Sequence, residues 1–116
     1  MTEIPFGVEP ETTPGTAPLQ YELPRAGRVR LTVRAGQRTT GGHAIRVTNV
    51  RREGPKLIVR CDVSAPADGA MVTQALTAPA QTVSVDERAV RGIREAILED
   101  ASGAERARIT AQGAQH

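Results

Sequence analysis

Aromatic residues are almost missing from this 116-residue chain, which has one Phe, one Tyr and no Trp. Without rings on which bases can stack, it lacks the platform that single-stranded nucleic acid binding uses. Its core must instead come from Val, Ile, Leu and Ala, which bury less area per residue. Cysteine is as scarce. Cys61 stands alone, so an intrachain disulfide and a multi-cysteine zinc site are both excluded. Its setting, Leu57-Ile58-Val59-Arg60-Cys61-Asp62-Val63, reads as that of a small buried hydrophobe rather than a reactive thiol. There are two histidines, His43 and the terminal His116, and a nucleophile needs a base beside it. The carboxylates are scattered with no ligand spacing. We therefore expect no catalytic residue, no metal site and no cofactor, and read the chain as non-enzymatic. Long apolar runs are missing too. No stretch approaches transmembrane length, and Met1-Thr2-Glu3-Ile4 has neither the basic nor the apolar region of a signal peptide. No membrane segment is expected, and the compartment is left open.

Charge is present but mixed. Fifteen basic residues face 13 acidic ones, for a net +2 and an isoelectric point near 9.3. Only Lys56 among the basic residues is not Arg, a skew that with the abundant Ala reflects GC-rich coding. A nucleic-acid binder concentrates its basic residues on one face, so nucleic acid is not an expected partner. The densest patches are Arg25/Arg28/Arg30/Arg34 and Arg46/Arg51/Arg52. In a strand, Arg28, Arg30 and Arg34 share a parity. The plain reading is a solvated outer face. The alternative is a small binding module that uses these three donors for an anionic ligand or polymer.

Composition divides the chain into an extended arm over 1–18, one β-rich domain over 19–111 and a flexible tail over 112–116. The arm holds Pro5, Pro10, Pro14 and Pro18, and proline donates nothing to a ladder; Ile4, Phe6 and Val8 are the residues that could lay it on the domain. From Leu19 the period is two. Leu19, Tyr21 and Leu23 alternate with polar residues, and Val29, Leu31 and Val33 alternate with Arg28, Arg30, Thr32 and Arg34, as half-buried strands do. Residues 43–52 and 56–64, joined at Glu53-Gly54-Pro55, predict a β-hairpin; within it Ile45 and Val47 face inward, and Val50 falls on the opposite face with Arg46 and Thr48. A loop over 65–70 leads to a strand at 71–77. Thr82–Val85 forms another, assigned to a sheet edge or a crossover because Pro79 interrupts the ladder. Residues 86–111 admit two readings. One is a helix near 86–98 with Asp86 as N-cap; the other, favoured by the β context, is a hairpin of 94–100 with 105–110 across Ala101-Ser102-Gly103-Ala104. The expected architecture is mainly β, an antiparallel β-sandwich or partly open barrel of about seven or eight strands, Ig-like in size.

Thr39-Thr40-Gly41-Gly42 is glycine-rich but lacks the Gly-Lys-Ser/Thr ending and following helix of a phosphate loop. Two segments taken together are more specific. Gly36-x-Arg38-Thr39-Thr40-Gly41-Gly42-His43-x-Ile45-x-Val47, then the hairpin, then Pro66-x-x-Gly69-x-x-Val72-x-Gln74-x-Leu76-Thr77-x-Pro79, resembles the C-terminal domain of the protease complex subunit PrcB family over about residues 28–86. The resemblance implies a bacterial, non-catalytic accessory module that assists assembly or maturation of a protein partner, a protease among the possibilities, at the cell envelope or outside it. It departs from the family pattern at His43, Ala78 and Ala80, where aromatics are usual. The implied interaction surface is Arg38, Thr40, Gly41, Gly42 and His43 of the bend with Gln74, Leu76, Thr77 and Pro79 of an edge. An open edge strand can also accept a second copy of the chain.

Overall fold

A computed structural model describes residues 2–39, 41–66 and 77–110. Its strands are β1 (Thr2–Glu3), β2 (Gly7–Val8), β3 (Leu19–Tyr21), β4 (Arg28–Arg34), β5 (Ala44–Glu53), β6 (Lys56–Ser64), β7 (Ala80–Asp86), β8 (Glu95–Glu99) and β9 (Glu105–Thr110). They make two sheets, ordered β1-β5-β6-β8-β9 and β2-β7-β4-β3, whose apolar faces meet as a sandwich. The expected mainly β, two-sheet class is what forms. The strand expected at 71–77 lies almost wholly outside the described residues, as does the tail 112–116. Among the described residues no helix is long and apolar enough to cross a membrane.

The alternation in β4 decides its placement. Val29, Leu31 and Val33 are fully buried between the sheets, as are Val83 and Val85 of the antiparallel neighbour β7. Each such side chain contributes roughly 1.5–3 kcal/mol on burial. β7 is central rather than an edge, with β4 on one side and β2 on the other. The reason is that Pro79 sits just ahead of the strand, where its missing N–H costs no ladder bond and its carbonyl accepts from Ala35 N at 3.0 Å.

The β5–β6 hairpin forms as expected, from Ala44↔Ser64 to Glu53↔Lys56. Its two-residue connection begins with Gly54 at φ +60°, the position a II′ turn gives to glycine. One feature departs from the alternation. The register shifts between Val47 and Asn49, so Thr48 is an extra, bulged residue and parity inverts beyond it. Val50, expected to face outward, is therefore fully buried.

In 86–111 the hairpin forms and the helix does not. What remains of the helix is one 3₁₀ turn, Glu87–Val90, capped by Asp86, whose carboxylate accepts from Arg88 N at 2.8 Å. β8 and β9 pair antiparallel around a turn in which Asp100 Oδ1 accepts from the amides of Ser102 at 2.9 Å and Ala104 at 3.1 Å. β8 lies parallel to β6, the exception to an otherwise antiparallel sandwich. Between them the chain visits the other sheet as β7 and returns through the 3₁₀ turn, the crossover that parallel neighbours require.

The N-terminal segment is more structured than an extended arm. Its first residues extend one sheet as β1, paired with β5, and the next extend the other as β2, paired with β7. Ile4, between them, is 3% exposed and Phe6 packs on the core, while Val8 points to solvent. Residues 9–18 then run across the outer face of the four-stranded sheet to its opposite edge at β3. Glu9 N donates to Thr82 O at 2.8 Å, Thr13 N to Thr82 Oγ1 at 3.1 Å, and Arg34 N to Pro18 O at 2.9 Å. Gly15 makes the closest approach: its φ is +152°, and a Cβ there would stand 2.8 Å from Arg34 Nη2.

Candidate functional site

The β4–β7 ladder does not stop at the strand ends. Beyond Arg34↔Ala80 it continues through the Ala35–Pro79 bond to a reciprocal pair in which Arg38 N donates to Thr77 O and Thr77 N to Arg38 O, each at 2.8 Å. The two segments singled out in the sequence are thus joined by their backbones at one end of the sandwich. Arg38, Thr77 and Pro79 are half-buried there. Gly41, Gly42 and His43 lead from the bridge into the start of β5, with Gly42 exposed and His43 half-buried. Thr40, Gln74 and Leu76 lie outside the described residues. The 77–80 segment continues a central ladder and is not the open sheet edge expected of it.

Next to the Arg38–Thr77 bridge the sandwich end opens into a cavity of about 580 Å³. Pro18, Arg34, Ala35 and Arg38 form the wall from the four-stranded sheet. Ile45, Cys61, Val63 and Leu98 form an apolar wall from the five-stranded sheet, and Val63 keeps 43% of its surface exposed. The β8–β9 turn closes the rim with Asp100, Ser102 and Arg106. Sequence reasoning found Arg38 but missed Leu98, Asp100 and Arg106. Asp100-Ala-Ser-Gly was legible as a turn; what brings it opposite Arg38 is the parallel placement of β8, which leaves no local signal.

Electrostatics set the character of each group. The Ser102 hydroxyl, the amides of Ala104 and Ser102, and Arg106 hold the Asp100 carboxyl down at about 2, with Arg106 Nε at 2.7 Å. Burial pushes the Cys61 thiol up, reinforced by the carboxylates of Asp100 and Asp62 and opposed by Arg106. That is the reverse of what activates a thiolate nucleophile. Among the described residues no three His, Cys, Asp or Glu side chains converge as metal ligands would.

The Arg28/Arg30/Arg34 face is occupied by the chain itself. Arg28 Nη2 donates to the carbonyl and hydroxyl of Ser84, each at 3.0 Å. Arg30 lies 3.8 Å from Glu9 and reaches the Glu11 carbonyl. Arg34 donates to Ala17 O at 2.8 Å, Thr13 O at 2.6 Å and Gln20 Oε1 at 2.9 Å. The parity expected for the three residues is present, but the N-terminal segment covers the face as a strap. Its proline-rich backbone offers carbonyls and few donors, which is what guanidinium groups can bind.

Comparison with known proteins bears on the same part of the chain. No curated protein and no solved structure matches it. A family model described as PrcB C-terminal matches residues 31–86, the stretch from within β4 through the β5–β6 hairpin to the end of β7. It contains both halves of the Arg38–Thr77 bridge and one part of the cavity wall; the strap and the β8–β9 hairpin, outside it, supply the rest. Over residues 31–86 the chain is similar to the PrcB C-terminal family.

Proposed function

We propose that the protein is a non-catalytic interaction module of the PrcB type, which docks a protein partner at the cavity end of the sandwich and assists that partner's assembly or maturation. The observation that carries this reading is the Arg38–Thr77 bridge. It brings the two family-bearing segments together beside a cavity of about 580 Å³, within the range of ligand-sized concavities. The buried thiol of Cys61, pushed toward its protonated form, supports a binding role over a nucleophilic one. A protease is the partner that the family suggests.

Affinity capture from cells that make the protein, followed by challenge with variants, tests the proposal. Val63→Glu and Ala101→Glu place charge at the cavity mouth without touching the main core. Both are expected to release a partner that the wild type and Arg88→Glu, on the remote 3₁₀ turn, retain. A partner kept by both mouth variants while their folds are intact would refute docking at this end.

A further inference from the structure

The cavity's charges are not balanced from within. Arg106 is matched by Asp100, 2.7 Å away. The guanidinium of Arg34 is turned away, held under the strap on the outer face of the four-stranded sheet by the carbonyls of Ala17 and Thr13 and the amide of Gln20; the opposite wall carries Arg38. Arg38 donates from Nη2 to the Ala35 carbonyl at 3.1 Å, and its Nε is buried without a hydrogen-bond partner. Asp62, opposite Arg46 in the hairpin, alternates with Cys61 and Val63 onto the outer face of its sheet. Two guanidinium groups, Arg38 and Arg106, therefore meet the one carboxylate of Asp100, leaving one net positive charge at Arg38. Facing it are Ile45, Leu98 and Val63.

We propose that this cavity receives the C-terminal residue of the docked partner polypeptide, its carboxylate against Arg38 and its apolar side chain against Ile45, Leu98 and Val63. The inference rests on docking at this end of the sandwich. A single excess positive charge suits a monoanion better than a phosphate dianion, which Asp100 would repel. A guanidinium fork matches a carboxylate in geometry as well as charge. A chain terminus carries carboxylate and apolar side chain on one residue, and so meets both walls at once. An internal Asp or Glu lacks the apolar group and must carry chain past the rim on both sides.

The probe is N-acetyl-alanyl-leucine, as free acid and as C-terminal amide, titrated into the ¹⁵N-labelled full chain with amide shifts as the readout. The free acid is expected to move the amides of Ala35, Arg38, Val63 and Ser102 saturably, and the amide form to bind at least about tenfold more weakly. Arg38→Gln should weaken the acid about as much while leaving the β8–β9 strand amides in place. Equal shifts from acid and amide, equal shifts from inorganic phosphate, or no shift at these residues would each overturn the proposal. The acid–amide comparison on the wild-type chain needs no variant, so it decides even if Arg38→Gln does not fold. A negative titration alongside partner capture that is sensitive to Val63→Glu defeats the terminal-carboxylate inference alone; insensitive capture defeats the docking site itself.

Discussion

Glu99 shows how much a single side chain can organise on a face without a core. It lies on the outer side of the five-stranded sheet, is 7% exposed, and accepts from Arg51 Nη1 at 2.6 Å and Arg60 Nε at 2.9 Å. Beside it Ile58 and Ile97 are buried yet belong to no part of the inter-sheet core; the stems of the surrounding arginines can cover them, as long charged side chains do. The Arg51 hydrogen bond, then Arg60, holds the Glu99 carboxyl below its usual range against the opposing pull of burial. A carboxyl depressed on folding stabilises fully above its unfolded value, near 4.3, and that contribution disappears as pH falls through the folded value. Glu99→Gln removes the charged partner of Arg60 Nε and one of the two carboxylates at Arg51, which keeps Glu53 at 3.0 Å, and is expected to cost about 1–3 kcal/mol at pH 7. Urea titrations from pH 7 to 3 check it: the wild type should lose stability below about pH 4.5, and the variant's loss should be shallower. Equal stability at pH 7 would show that the pair arrangement contributes nothing net.

At the scale of elements, what the sequence made legible was local. β4 follows from the Val29/Leu31/Val33 alternation, and the β5–β6 and β8–β9 hairpins follow from alternation on either side of turn residues, because register and turn are set within a few positions. Three things escaped. The Thr48 bulge did, because an extra residue leaves no mark in composition, and Val50 was consequently assigned to the wrong face. β1 and β2 did, because two-residue strands amid prolines give no period. The parallel β6–β8 pair did, because its connection passes through the other sheet. The bulge carries a prediction. Deleting Thr48 makes Val47↔Cys61 and Asn49↔Arg60 consecutive rungs, so Ile45, Val47 and Val50 all keep their inward face, and the deletion is expected to cost less than about 1 kcal/mol by denaturant unfolding. A loss of at least about 3 kcal/mol, the burial of Ile45 and Val47 together, would show that the strand pairs in another register.

Across the whole molecule, the two sides of the sandwich are managed differently from its ends. One side is sealed by the N-terminal segment, which adds a strand to each sheet and ties itself to Arg28, Arg30 and Arg34 as a strap. Those arginines, read from the sequence as a candidate anion face, were placed correctly; what covers them was not legible, since nothing in a proline-rich stretch says where it lies down. The candidate site was half legible in the same sense. Arg38 and Thr77 were identified and are joined, whereas the cavity beside them depends on Leu98, Asp100 and Arg106, which only the assembled topology brings near. Hydrogen–deuterium exchange of the full chain, with and without its captured partner, tests the docking end most directly. Protection is expected at residues 35–38, 61–63, 77–79 and 101–106, around the cavity. Protection confined to the outer face of the five-stranded sheet or to the strap, with the cavity end unchanged, would contradict it.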